Sequence, residues 1–467
     1  MAVKKGDDEI SNAPSQEGQL YEDKYYENDA VFGEMTGEGP NYRNVGWLGT
    51  AALMMKSQIG LGVLSIPAAF DTLGIVTGTI IMLVIAVITT WSDYMVGTFK
   101  LRHPEVYGIA DVGGMLFGRP GRLFFGSTFV LYWIFIAGSG MLSISIALNA
   151  VSAHGTCTAV FVAVAAAIGF ILGSIQTLGR MTWLAWGGLT CILTAIFMVT
   201  IAVGIQARPA SAPQGDGPWV SDFKLAASGS FTENMTAVAM LVNAYAGTPS
   251  FFSIVSEMRN PRLYTRSLLV CQSVVTAVYI IIGCVVYYFC GSYVASPALG
   301  SAGVLMKKIS YGFALPGLIV TTMLVVHLPA KYIFLIILHG SPHLTKPTLI
   351  HWTAWIGCTF GIAVIAYIVA SAIPVFNNLV SLVGALLGTL MSFQPMGFMW
   401  LYDNWSQGKA ERSIKWILMV CWCIFVIVSG TFLMISGTYG SIVSIIDTYN
   451  QSGGSAAWSC SDNSNST

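Results

Sequence analysis

Polar and charged residues dominate the chain as far as residue 45, and from Trp47 onward apolar residues gather in long runs. Runs of about 20 are the length at which a helix crosses a ~30 Å hydrocarbon layer. Eleven such spans are predicted, each bounded by Gly, Pro or charge: 47–68, 74–98, 123–149, 158–176, 183–204, 232–256, 267–290, 312–338, 352–373, 377–402 and 414–436. The predicted fold is therefore an all-α integral membrane protein with 11 transmembrane helices. Residues 1–45 carry ten Asp or Glu and almost nothing that builds a core, which predicts a disordered acidic tail. The transmembrane domain covers 46–437, and 438–467 forms a second tail.

Two spans break the apolar pattern. The first contains Gln58-Ile59-Gly60-Leu61-Gly62-Val63-Leu64-Ser65-Ile66-Pro67, and the sixth contains Asn243-Ala244-Tyr245-Ala246-Gly247-Thr248-Pro249-Ser250. Gly costs about 1 kcal/mol relative to Ala inside a helix, and Pro removes a backbone donor. Unwound backbone at membrane depth is tolerated only where protein or a water-filled cavity satisfies its N–H and C=O groups. Gly60 and Gly62 alone would also suit close helix packing, but that reading leaves the second break unexplained. The breaks open corresponding sets of five spans, 47–204 and 232–402, with 414–436 as an extra helix. That is the pattern of an inverted-repeat transporter whose substrate binds where the broken helices meet. Helix N-termini there suit a carboxylate and freed carbonyls suit an ammonium, so a free amino acid matches both. The candidate substrate contacts are Ile59, Gly60, Leu61, Gly62, Val63, Tyr245, Gly247, Thr248, Ser250 and Phe251, with Phe252 and Tyr132 as further aromatic candidates.

Composition narrows the function classes. Only 9% of residues are charged against 55% hydrophobic, far from the balance of a water-soluble domain. The 22 basic and 22 acidic residues cancel, so net charge gives no reason to expect a nucleic-acid partner. The nine Cys form no CxxC pair and the six His no HExxH, which argues against a metal or an enzyme site. No G-x-x-x-x-G-K loop is present, so transport would draw on an ion gradient. The N-terminus lacks an apolar signal region, and the first span is expected to direct insertion. With the N-terminus cytosolic, the inner loops hold thirteen Lys or Arg and the outer loops four, which favours that orientation and places the C-terminus outside. Cys157 and Cys460 then share the outer side, either as a disulfide or as two unrelated thiols. The sequon at Asn465 would face the same way.

Few charges remain near the spans. Lys56 is functional, as a cationic stand-in at a sodium site or a proton sensor, or else it snorkels to the cytosolic headgroups. Asp93 and Glu257 read as helix-end or cytosolic-gate groups, with Arg259 and Arg262 as partners of Glu257.

At these residues the sequence resembles the amino acid/auxin permease family of the amino acid, polyamine and organocation superfamily. Gly60-Leu61-Gly62-Val63-Leu64-Ser65-Ile66-Pro67 looks like its G-x-G-x-L-x-x-P break, and Glu257-Met258-Arg259-Asn260-Pro261 like its E-M-x-x-P stop. Leu101-Arg102-His103-Pro104-Glu105, Gly155-Thr156-Cys157 and Ser296-Pro297-Ala298-Leu299 are similar to fungal neutral amino acid permeases of the methyltryptophan-resistance type. The resemblance implies a LeuT-like 5+5 inverted repeat with helices 1 and 6 broken. It also implies a plasma-membrane permease importing neutral aliphatic and aromatic amino acids with the proton gradient and no cofactor. By resemblance, Thr321 and Thr322 are sodium-site candidates, with a hydroxyl bond to the carbonyl four residues back as the alternative reading. A sodium-coupled or vacuolar transporter and a transporter-like nutrient sensor are the alternatives. The expected partners are free neutral amino acids, membrane lipids and a cytosolic regulator of the acidic tail.

Overall fold

A computed structural model describes residues 31, 42–60, 62–209, 211–213, 219–226, 228–344, 346–372, 376–410, 412–452 and 458–464. Leu61, nearly all of the acidic tail and the sequon at Asn465 lie outside the described residues. The protein is helical from Trp47 onward: α1 (Trp47–Gln58), α2 (Ile66–Leu73), α3 (Ile75–Arg102), α4 (Ile109–Ser152), α5 (Thr158–Gly173) and α6 (Leu178–Ile205). After a long loop follow α7 (Phe231–Tyr245), α8 (Thr248–Ser256), α9 (Tyr264–Cys290), α10 (Val304–Ile337) and α11 (Leu349–Ala372). The last group is α12 (Phe376–Val383), α13 (Thr389–Ser392), α14 (Gln394–Ala410) and α15 (Ile414–Ser452).

Ten of these segments are long and apolar enough to cross a membrane, with α1–α2 and α7–α8 each counted as one, and α5 adds a shorter apolar helix. Burial separates the segments by role. In their most apolar windows, α1–α2 is 88% buried and α7–α8 94%, whereas α15 is only 17% buried. The two interrupted segments therefore sit at the centre, and α15 turns Ile417, Leu418, Phe425, Val428 and Phe432 outward, as a lipid-facing helix does. Long α10 packs along both α6 and α4 and joins the two halves.

Several predicted boundaries move. The third span begins at Ile109 instead of 123, because Gly118, in the left-handed region at φ 69°, lets a short inner helix turn into the main one. The tenth span is not a plain helix: Gly384–Gly388 forms a π-helical turn. A Cβ at Gly384 would lie 2.4 Å from the Ala239 carbonyl oxygen, so the widened turn lets its backbone lie against α7. The last helix continues to Ser452 where a tail was expected from 438, since Gly440 packs against Thr232 and Thr236 of α7.

Beyond α15 the chain returns to the mouth between α4 and α5. Cys157 and Cys460 form a disulfide, with Cα atoms 4.3 Å apart. Asn463 accepts from Asn149 Nδ2 (2.8 Å) and donates to Ser145 Oγ (3.0 Å). Thr158 donates to the Ser461 carbonyl at 2.7 Å, and the Lys307 ammonium donates to the Ser464 carbonyl. In intact cells, Cys460 in a Cys157→Ser variant should react with a membrane-impermeant maleimide, whereas in the wild type it should react only after an impermeant reductant. Labelling of Cys460 without reductant in the wild type would show that the bridge does not form.

Candidate functional site

The two breaks meet. α1 ends at Gln58, a 3-10 turn runs from Gly62 to Ser65, and α2 then starts with Pro67 in its first turn. α7 ends at Tyr245, and α8 starts at Thr248 with Pro249 in its first turn. Proline fits both starts because first-turn N–H groups have no intrahelical acceptor. A Cβ at Gly62 would fall 2.6 Å from the Ala244 Cα, one at Gly60 2.7 Å from Thr321 Oγ1, and one at Gly247 2.8 Å from Gln58 Cγ. The absent side chains are what allow the two unwound segments to touch.

Side chains of this protein take up the carbonyls that unwinding releases. Lys56 Nζ donates to the Ile59 carbonyl at 3.2 Å, and Gln58 Nε2 to the Tyr245 carbonyl at 3.3 Å. The Tyr132 hydroxyl donates to the Ala246 carbonyl. Tyr279 reaches both breaks at once: its hydroxyl lies 2.9 Å from the Gln58 carbonyl and 2.7 Å from the Ala244 carbonyl, with one proton to share between them. Ile59, Val63, Tyr245, Thr248, Ser250 and Phe251 are all buried, so the site is closed from both sides.

Lys56 is completely buried and turned to the break, so it does not snorkel. Thr321 lies against Gly60, but its hydroxyl bonds the Gly317 carbonyl four residues back at 3.2 Å; Thr322 does the same with Leu318 at 3.0 Å and faces Gly169 of α5. Tyr245 directs its hydroxyl to Thr276 (3.1 Å) and its ring edge to Tyr279. The Ser250 hydroxyl closes the α8 turn onto the Gly247 carbonyl at 2.7 Å.

The gate assignment needs correction. Glu257 pairs with neither Arg259 nor Arg262 but with Lys331, which lies inside α10, and both are buried. The other Glu257 oxygen accepts from the backbone N–H of Leu178 at the start of α6 (3.1 Å), and the Tyr42 ring lies 4.6 Å from the Lys331 ammonium. Burial, then the Glu257 carboxylate beside it, hold the Tyr42 phenol above its ordinary range, so it stays neutral. Residues 42–45 lie across this pair: Val45 N–H donates to the Glu257 carbonyl (3.1 Å), and Arg259 N–H to the Val45 carbonyl (2.9 Å). The Arg259 guanidinium donates to Asn44 Oδ1 (3.0 Å). Asp93 stands apart from this lock: it is buried within α3, accepts from Gln272 Nε2 at 2.5 Å and faces the Thr248 hydroxyl. Among the described residues, no group of three or more His, Cys, Asp or Glu is placed to hold a metal ion.

Gln58, Gln272 and Tyr279 were missed by the sequence reading. A signal existed: Gln272 and Tyr279 stand seven residues apart, on one face of an otherwise apolar α9.

Residues 43–443 match the family model for transmembrane amino acid transporter proteins. The chain belongs to that family. It is a transporter and not an enzyme. A transmembrane transporter of Gibberella moniliformis is 33% identical over 444 residues, covering 94% of this chain and 92% of the relative. The N amino acid transport system protein of Neurospora crassa is 32% identical, covering 90% and 89%. Two solved transporters share the fold at low identity. Mhp1, a nucleobase-cation-symport-1 family transporter in a closed conformation, has a TM-score of 0.54 at 14% identity, covering 92% of this chain and 98% of its own. A Na+-coupled sialic acid symporter has a TM-score of 0.55 at 12% identity, covering 91% and 96%. This amino acid transporter thus has the LeuT-like architecture with its first and sixth spans broken.

Proposed function

We propose that this transporter imports neutral aliphatic and aromatic amino acids across the plasma membrane in symport with protons, by alternating access around the two breaks. The observation that carries this reading is the contact between Gly62 and Ala244, which sets the first break against the last turn of α7, beside the second break. Backbone groups and hydroxyls make up most of its polar surface, which matches a net-neutral zwitterion better than a cationic or anionic substrate. Tyr245, Phe251 and Phe252 beside the break supply apolar area for a side chain. The buried Lys56 amine donates to the Ile59 carbonyl, a freed carbonyl of the kind a small cation would coordinate, which favours proton over sodium coupling. The excess of Lys and Arg on the side of the N-terminus, twelve to four once the buried Lys331 is set aside, supports a cytosolic N-terminus and an outer C-terminus.

The test is uptake of radiolabelled Leu, Phe and Arg by cells expressing the protein, with and without a protonophore, in sodium and in choline medium. Leu and Phe uptake should collapse with the protonophore and persist when choline replaces sodium. Preferred Arg uptake, or uptake indifferent to the protonophore, would refute the proposal.

A further inference from the structure

Among the described residues, Asp93 is a fully buried carboxylate outside the Glu257–Lys331 pair. It lies on α3, fully buried, and among the described residues no ion pair involves it. Three elements set its surroundings. From α9, Gln272 donates to Oδ2 at 2.5 Å, Tyr264 donates its hydroxyl to the Asp93 backbone carbonyl at 3.0 Å, and Cys271 lies close by. From α8, which packs on α3, Thr248 brings its hydroxyl toward Asp93, and neither that oxygen nor Asp93 Oδ1 meets a partner with hydrogen-bond geometry. From α3 itself come Thr89 and Ser92. The other elements packed on α3 have their charged groups engaged or placed elsewhere. On α14, Asp403 is held by Arg102 and His103 at the C-terminal end of α3; in the turn Pro261–Leu263, Arg262 is exposed; on α7, Glu233 caps the first turn; on α2, Asp71 is near Lys224 and Asp222. Tyr264 and Cys271 are thus the titratable groups facing Asp93, and neither is cationic.

Burying an ionised carboxylate without a cation is costly, and such a group takes up a proton instead. The neighbour that makes this useful is Thr248, the first residue of α8, because the positive end of that nine-residue helix is where a substrate carboxylate would lie. An ionised Asp93 competes for that positive end and repels an incoming carboxylate. Once protonated, its hydroxyl can donate to Thr248 and the helix end is free for the substrate. Cys271, adjacent to Gln272, reaches Gln58 at 3.8 Å, which ties the same cluster to the first break.

We infer that Asp93 is the proton-binding site that couples to substrate: it takes a proton from the outer side as the amino acid binds and releases it to the cytosol as the amino acid leaves. The inference rests on the proton-symport reading above and names the residue that would carry it. Linkage is reciprocal, so if protonation favours substrate, substrate favours protonation. Apparent affinity should fall as external pH rises.

The experiment compares wild type with Asp93→Asn and Asp93→Glu in proteoliposomes, using radiolabelled leucine and phenylalanine. Asp93→Asn, which keeps the shape of the protonated form, should lose accumulation driven by an imposed proton gradient by about tenfold or more. Its exchange of internal for external amino acid should no longer vary with pH. An Asn variant that still accumulates substrate and keeps the wild-type pH profile would overturn the assignment. If the Asn chain does not insert, Asp93→Glu decides: coupling should persist with a displaced pH midpoint, and an unmoved midpoint would overturn it. Wild type that fails to concentrate either amino acid would refute proton symport itself, a result distinct from any confined to the variants.

Discussion

Substituting Gly62 with Ala or Val should reduce uptake by about a hundredfold while the protein still reaches the membrane, because displacements near 1 Å at a positioning site cost that much. The new Cβ would lie 2.6 Å from the Ala244 Cα and 3.1 Å from its backbone nitrogen. Backbone cannot rotate out of the way as a side chain can, so α7 would have to move and open the contact between the breaks. Gly187→Ala is the control: nothing lies within 4 Å of its new Cβ, and uptake should remain near wild type. Surface-normalised initial rates of leucine and phenylalanine uptake check both. A Gly62→Ala transporter working at the wild-type rate would mean that the close approach has no role in the cycle.

Lys331→Met should destabilise the closed state by about 3–5 kcal/mol, the range for leaving one member of a buried pair without its partner. The pair joins the end of α8 to α10, so its loss should shift the protein toward an inward-open form and lower the thermal midpoint in detergent. A Cys introduced at buried Ser253 should then react faster with a maleimide applied from the cytosolic side. The double variant Glu257→Gln with Lys331→Met, which leaves no unpaired charge, should recover much of the midpoint. It need not recover transport, because the lock would still be missing. If single and double variants are equally destabilised, charge compensation is not what the pair provides.

How much of this was legible before the structure depended on whether a feature left a local mark. Both breaks did, since Gly and Pro at membrane depth conflict with an unbroken helix, and the segments they flagged are the two that meet. The Glu257–Lys331 pair left none: its members are 74 residues apart, and nothing local to either names the other. Glu257 had nearer cations in Arg259 and Arg262, so local reading chose the wrong partners. The π turn at Gly384–Gly388 was hidden because two Gly four residues apart also suit close helix packing, and only the approach of α7 explains it. Asp93 was visible as a charge late in a span, but its role turns on Thr248 and Gln272, which tertiary packing brings to it.

The segment that returns to the mouth between α4 and α5 has a consequence for the order of assembly. Residues 460–464 make their contacts with Ser145, Asn149, Cys157, Thr158 and Lys307, all synthesised well over a hundred residues earlier. Each of these helices can enter the membrane as it emerges from the ribosome, yet their shared rim stays incomplete until residues 460–464 have been made. A chain truncated shortly after α15 would therefore have all its spans, its Cys157 thiol still free and one rim undone.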